Sequence, residues 1–368
     1  MDNCVIPHGY KATALGIIPQ EWEVMLLGNL SNSISSGRNK HRDAHGQYPV
    51  FGSTGIIGYS STYEYEGPVI LVARVGANAG TLNFASGQYD VSDNTLIITI
   101  KQNVYDYNFA YNQLTHYKLN KLVFGSGQPL ITSKQLKNIR IPVPPREQRK
   151  IAEVLGVWDK AIEKQARLIE KLALRKRALM QRLLSAKLRL PGFSEPWKKV
   201  KLGDVAELYQ PQTIQSEDLS QTGYPVYGAN GLIGYYNNYN HEYPQVVITC
   251  RGSSCGTVNF TPGKCWITGN AMVLNVDNNR DVNKSFFYYL ISNSSFVNLI
   301  SGSGQPQIVR QPLLKFELRI PPLKEQTAIA EVLTAADREI DLAKEKLERL
   351  RRQKRGLMQQ LLTGKKRI

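Results

Sequence analysis

The sequence predicts an α+β protein made by tandem internal duplication, in which two globular segments of mixed, mainly β structure alternate with two long helices carrying coiled-coil seams. Three observations predict it. Two apolar heptad runs are close copies of one another, the repeat extends into the larger segments ahead of them, and those segments hold short Val, Ile, Tyr and Thr runs bounded by Gly and Asn.

The helices carry the plainest signal. Ile151, Leu155, Trp158, Ile162, Gln165, Ile169, Leu172, Lys176, Leu179 and Leu183 alternate in steps of four and three, the pattern of a coiled-coil seam. A shift of 178 gives Ile329, Leu333, Ala336, Ile340, Ala343, Leu347, Leu350, Lys354, Leu357 and Leu361, with a lysine interrupting both seams at the same step. Each helix follows a Pro-rich stop, Ile141-Pro142-Val143-Pro144-Pro145 or Ile320-Pro321-Pro322. Each begins with Glu-Gln, at Glu147-Gln148 and Glu325-Gln326.

The globular segments repeat more loosely. Gly52-Ser53-Thr54-Gly55-Ile56-Ile57-Gly58-Tyr59 returns as Gly228-Ala229-Asn230-Gly231-Leu232-Ile233-Gly234-Tyr235. Likewise Gly125-Ser126-Gly127-Gln128-Pro129 returns as Gly302-Ser303-Gly304-Gln305-Pro306. Strands are expected at residues 69–72, 96–100, 246–249 and 272–276, and minor helices at about 108–122 and 284–300. The domain reading is 1–145, 146–189, 190–323 and 324–368, as segment, helix, segment, helix.

Composition limits function. A hydrophobic content of 42% over 368 residues suffices for two or more cores. No uncharged apolar run reaches the ~18 residues that span a bilayer, and Met1-Asp2-Asn3-Cys4 lacks a signal pattern, so a cytoplasmic protein without membrane contact is expected. The cysteines Cys4, Cys250, Cys255 and Cys265 include no Cys-x-x-Cys pair, and His241 is the nearest candidate for a fourth ligand. They read as buried or idle thiols rather than a metal site.

A net charge of +16 points to an acidic partner, nucleic acid being the commonest. Charge is unevenly spread: +2 over 1–145, +8 over 146–189, +1 over 190–323 and +5 over 324–368. No phosphate-binding Gly-x-x-x-x-Gly-Lys loop, dinucleotide fingerprint, Asn-Pro-Pro methyltransferase tetrad or acidic-x-Lys nuclease pattern occurs. No catalytic residue, metal or cofactor is therefore expected.

The repeated loops read as contact surface. Ser126, Gln128, Ser303 and Gln305 offer hydroxyl and amide groups beside approachable backbone N–H groups, suited to phosphates or base edges. Arg74 and Arg251, just ahead of Gly76 and Gly252, have the fork geometry for guanine or phosphate, and Tyr59 and Tyr235 flank glycine-rich tips. Each admits a plainer reading: the glycines allow tight turns, the arginines are solvated, and the tyrosines fill small cores.

The run from Pro144-Pro145-Arg146-Glu147-Gln148 through Ile151-Ala152-Glu153-Val154-Leu155 to Leu179-Met180-Gln181, with its twin ending Leu361-Leu362-Thr363-Gly364, resembles the helical regions of Type I restriction-modification specificity subunits. The likeness covers nearly the whole chain. It implies that each globular part is a target-recognition domain binding one half of a split double-stranded DNA sequence. It further implies that the two helices pack antiparallel and dock two methylation subunits, with motor-nuclease restriction subunits joining in the full complex. Methyl transfer from S-adenosylmethionine, and cleavage with ATP and magnesium, would then reside on those partners, leaving this chain a non-catalytic address. A duplicated scaffold binding other nucleic acid or protein is the alternative.

In that arrangement the basic helices would lie along unread spacer DNA or face acidic partner surfaces. With seam ends aligned, antiparallel helices place Lys176 opposite Ala336 and Lys354 opposite Trp158. The first helix, over about 40 residues at ~1.5 Å each, would set the spacing of the half-sites. Four residues inserted after Leu184 should advance the second reader by ~6 Å and rotate it by only ~40°, widening the gap by roughly one or two base pairs. Both half-sites should stay unchanged and differ from one another. Mapping of modified adenines in host DNA checks this, and an unchanged gap would show that the helix is not the ruler.

Overall fold

The computed structural model describes residues 6–40, 42–43, 45–125, 129–228, 230–302 and 304–368. Its contacts form two compact units, Met1–Ala166 with Lys346–Ile368, and Arg167–Glu345. Among the described residues the helices longer than two turns are α1 (Tyr107–Tyr117), α2 (Gln148–Leu183), α3 (Lys284–Ser292) and α4 (Leu323–Leu361). Each unit thus holds one globular segment, the beginning of one long helix and the end of the other.

In the first unit a four-stranded antiparallel sheet runs in the order Ser31–Ser36, Thr95–Ile100, Val69–Ala73, Leu82–Ala85. Alternation along the strands sends Ile70, Val72, Leu96 and Ile98 into the main core, and Val69, Leu71 and Ile97 into a smaller one on the opposite face. Both faces are therefore covered, which is why Val69–Ala73 reads as an unbroken apolar run. The main core takes in Phe109 and Leu114 of α1. The smaller one is closed by a second sheet, ordered Gly55–Ser60, Tyr48–Gly52, Gln88–Val91, Tyr65–Glu66.

The second unit repeats this plan. Its main sheet runs Glu207–Tyr209, Ala271–Asn275, Val246–Thr249, Val258–Phe260, and its smaller sheet Gly231–Tyr236, Tyr224–Gly228, Trp266–Ile267. In both small sheets one pairing is parallel, Asp90 with Val50 and Val226 with Trp266. Both short helices start at a polar cap: Asp106 accepts from Phe109 N, and Asn283 from Phe286 N.

These helices are shorter than the apolar pattern. Lys118 turns left-handed (φ 60°) and leaves Leu119–Leu122 as a 3-10 turn, while α3 stops before the 3-10 turn Val297–Leu299. α2 also ends early, at Leu183 rather than near 187. Ala186 is left-handed (φ 58°) and Leu188 N donates to Arg182 O, the closure that also ends α4, where Gly364 (φ 71°) takes the same place and Lys366 N donates to Gln360 O. Gly364 has a second reason to lack a side chain, since a Cβ there would collide with Pro19.

The Glu-Gln pair at each helix start is explained by what it holds. Glu147 accepts from Trp22 Nε1 (3.2 Å) and from Arg367 Nε (2.7 Å), the latter supplied by the segment after α4. Glu325, with a fully buried side chain, accepts from Trp197 Nε1 (3.2 Å) and from both Nε and Nη2 of Arg189 (2.6 and 2.8 Å), supplied by the segment after α2. Beside them, Gln148 accepts from Asp106 N and donates to Val104 O, while Gln326 accepts from Asn283 N and donates to Asp281 O. Each helix start is thereby tied to the cap of its unit's short helix.

The seam is antiparallel. In the second unit Leu172 packs with Ile340 and Ala343. The lysines sit at the expected register, and each is neutralised: Lys176 pairs with Asp337 and Lys354 with Asp159, each acceptor one residue beyond the seam position opposite. An aspartate within reach satisfies an ammonium better than a methyl group or an indole face.

Removing a partner from a buried ion pair costs about 3–5 kcal/mol because the remaining charge stays buried. Arg189→Ala should therefore destabilise the second unit by about that amount, and Arg189→Ala combined with Glu325→Gln by less. Denaturant titration of the three proteins checks this; equal losses in single and double variants would show that Glu325 is not held by charge.

Candidate nucleic-acid interface

The two glycine-rich loops of each unit meet through their backbones. Beyond the strand Val69–Ala73 the chain turns through Arg74, Val75 and Gly76 (φ 77°); Gly76 N donates to Pro129 O (2.9 Å) and Ile131 N to Arg74 O (2.9 Å). In the second unit Gly252 N donates to Pro306 O (3.0 Å) and Ile308 N to Cys250 O (2.9 Å). Gln307 and Ser301 close the base of their loop with two reciprocal bonds, 2.8 and 2.9 Å. The repeated loops thus form one surface feature per unit, built on the end of a strand buried on both faces. Gly302 is required there: its φ is +90°, and a Cβ would stand 2.6 Å from Gln305 O.

This register corrects the pairing of the two arginines. By backbone partners Arg74 is equivalent to Cys250, and Arg251 to Val75. Successive residues of an extended chain face opposite ways, so the two guanidiniums do not occupy matched positions. Arg74 is half-buried, and its Nη1 lies 3.3 Å from Ser36 Oγ; Arg251 is exposed. Gln305 is exposed on the same loop as Arg251's partner strand, whereas Ser126, Gln128 and Ser303 lie outside the described residues.

Tyr59 and Tyr235 are on hairpins of the smaller sheets, paired with Pro49 and Pro225. Tyr59 is 47% exposed, while Tyr235 is half-buried and its backbone exchanges bonds with Ser220. No bond or ring contact among the described residues joins either tyrosine to the arginine loops. The hairpin tips carry residues the sequence reading passed over: Ile56, Leu232 and Ile233 are each at least half exposed. Ile57 lies against Gly52 and Ile233 against Gly228, so the glycine before each turn accommodates an aliphatic side chain behind it. The repeated Gly-[Ile/Leu]-Ile-Gly was the available signal.

His241 is engaged otherwise than as a ligand. Its Nδ1–H donates to Asn240 Oδ1, which also accepts from Ile267 N, and its Nε2 accepts from the Tyr209 hydroxyl (2.9 Å). Cys250 and Cys265 are buried, and burial pushes the Cys250 thiol up to about 11. Among the described residues no group of three or more His, Cys, Asp or Glu side chains is placed to hold a metal ion. Nor, among them, is any helix long and apolar enough to cross a membrane.

The family model of the Type I restriction modification DNA specificity domain matches this chain twice, at residues 19–173 and 194–352. The chain belongs to that family. Its role is accordingly DNA-sequence specificity in Type I restriction-modification. Similar curated proteins include the Type I restriction enzyme MjaVIII specificity subunit of Methanocaldococcus jannaschii, 24% identical over 95% of this chain and 94% of that one. The putative MjaX specificity subunit of the same organism is 26% identical, over 98% and 97%. Among solved structures, a Type-I restriction-modification S subunit from M. genitalium shares the fold with a TM-score of 0.66 at 19% identity, over 93% of this chain and 96% of that one. Each match takes in one globular segment and most of the helix after it.

Burial holds the His241 imidazole below its usual value of 6.5, against a smaller opposing pull from Asp277. The unfolded chain then binds more protons than the folded one below about pH 6.5, so this histidine removes stability as pH falls through that value towards the depressed one. His241→Gln should lose less melting temperature than wild type between about pH 7.5 and 5.5. Parallel losses would mean the imidazole is not held neutral.

Proposed function

We propose that the two globular segments, within 1–145 and 190–323, each bind one half of an asymmetric bipartite double-stranded DNA target, and that helices 146–189 and 324–368 set the spacing and dock two methylation subunits. The observation that carries this reading is the duplication itself. One surface loop pair, one apolar hairpin tip and one helix-start clasp occur in each unit, at equivalent places on the same framework. Two similar readers with divergent tips suit two different half-sites.

In this reading Tyr59, Arg74, Ser126 and Gln128 serve one half-site, and Tyr235, Arg251, Ser303 and Gln305 the other. Arg251 is the exposed fork of the second reader and reads a guanine edge or fixes a phosphate; Arg74, held to Ser36, positions its loop as much as it reads. The aliphatic tips meet thymine methyl groups or wedge between base steps. The chain itself performs no chemistry: methyl transfer and cleavage belong to the methylation and restriction subunits. That its relatives are specificity subunits supports this, as does its likeness, with a TM-score of 0.57, to a structure concerned with complex assembly of the type I R-M system.

Co-expression with the methylation subunit of its own system should yield one asymmetric, gapped motif of modified adenines. In the assembled methyltransferase, Arg251→Ala should weaken target binding by about 1–3 kcal/mol, with discrimination relaxed in the second half-site only. Arg74→Ala should cost less. Anisotropy titrations against duplexes scrambled in one half at a time separate base reading from phosphate contact, since a phosphate contact weakens all duplexes alike.

A further inference from the structure

Each unit has a groove between its short helix and the first turns of its long helix. In the first unit it is lined by Asp106, Asn108, Ala152, Glu153, Gly156 and Lys160 among others, with a volume of about 780 Å³. In the second it is lined by Asn283, Ser285, Ala330, Glu331, Thr334 and Arg338, with about 400 Å³. These are the same places in the duplicated chain, but one groove is nearly twice the other.

Two of the positions that differ between the units bear on the space beside the seam's ion pair. In the second unit Tyr289 of α3 is buried, its hydroxyl donating to Asp337 Oδ2 (2.7 Å) beside Thr334 Oγ1 (3.3 Å), with Lys176 Nζ 5.3 Å from its ring centroid. Asp337 and Lys176 complete that cluster as an ion pair. The first unit keeps the pair as Asp159 and Lys354, but has Asn112 where Tyr289 would be and Gly156 in place of Thr334.

Asn112 is 4% exposed and lines the groove, and its Oδ1 has no hydrogen-bond partner among the described residues. A Cβ added to Gly156 would meet nothing within 4 Å, so no neighbour in this chain calls for a glycine in that helix interior. Phe84 and Val157, 38% and 67% exposed, line the same groove.

We infer that the first unit's groove receives a tyrosine side chain from the methylation subunit, its ring over Gly156 between Phe84 and Val157 and its hydroxyl donating to Asp159. The second unit shows the complementary chemistry, because there the chain fills the equivalent space with a phenol on the equivalent aspartate. The two docking places for one kind of partner are therefore unequal: one takes an inserted side chain and the other is already closed by Tyr289. This rests on the docking reading given under the proposed function.

The test titrates the full chain with the methylation subunit of its own system, by native mass spectrometry and calorimetry. The wild-type chain should bind two copies with unequal affinities. Asn112→Tyr with Gly156→Thr rebuilds the second unit's arrangement. It should weaken one of the two binding events on the order of thirty-fold and leave the other unchanged, without lowering the chain's melting temperature. Val157→Lys, at an exposed position that does not threaten the fold, should weaken the same event and decides the matter alone if the double variant melts lower. Wild-type affinity in Val157→Lys and in a well-folded double variant would overturn the tyrosine seat alone. Failure of the wild-type chain to bind any methylation subunit would overturn the docking reading with it.

Discussion

A carboxylate buried at the start of each long helix is the constraint on which the remaining structure depends. Glu147 and Glu325 are removed from water at the point where a helix, a tryptophan and the segment following the other helix converge. An unpaired carboxylate there would cost several kcal/mol, so an arginine must be delivered to each. That arginine lies after the end of the opposite helix, Arg367 for Glu147 and Arg189 for Glu325. Each unit consequently needs both helices, and the cores show it: Ile151 and Leu155 lie with Leu361 and Leu362 in one, Ile329 and Leu333 with Leu183 and Leu184 in the other.

With helix starts held in this way, the strands behind the glycine-rich loops are enclosed in the cores of their units. Val69–Ala73 and Val246–Thr249 are buried on both faces, and the loops that leave their ends are cross-linked chiefly by backbone hydrogen bonds. A scaffold of that kind leaves loop side chains free to differ without disturbing the fold, which is what a family of DNA-specificity domains requires. The two halves have diverged both in a loop and beside the seam. An arginine is offset by one residue between the loops, and a tyrosine beside the seam in one unit is an asparagine in the other.

The basic character of the chain is also clarified by the structure. The long helices carry most of the excess charge, while their two seam lysines are neutralised by aspartates. Exposed pairs such as Arg175 with Glu339 contribute little to stability, so the remaining surplus acts through the surface field. Such a field suits a polyanion or an acidic partner surface, and its location on the helices rather than on the near-neutral reading segments separates general attraction from sequence reading.

The duplication, the seams and the family were legible in the sequence because each is a matter of spacing: heptads, a fixed offset, and Glu-Gln after proline survive in a linear string, whereas the antiparallel direction of the helices was implied by the family resemblance and not by any spacing. Lys176 and Lys354 could be placed opposite the right turn of the other helix, but their aspartate partners could not, since a residue just off the seam is chosen by side-chain reach. Helix ends were overrun at 187 and 122, because the left-handed residues Ala186 and Lys118 stop a helix without a glycine to announce it, and at 300, where the helix ends at Asn293 in a right-handed conformation. Among the candidate contact residues, Arg74 and Arg251 stand two and one residues ahead of their equivalent glycines, and the backbone pairing with the neighbouring loop confirms that the offset puts them on opposite sides of their strands. The grooves were invisible for the same reason. They are formed by residues some 45 positions apart, brought together when a capped short helix is tied to a clasped long one, and that is decided by packing rather than by any local pattern.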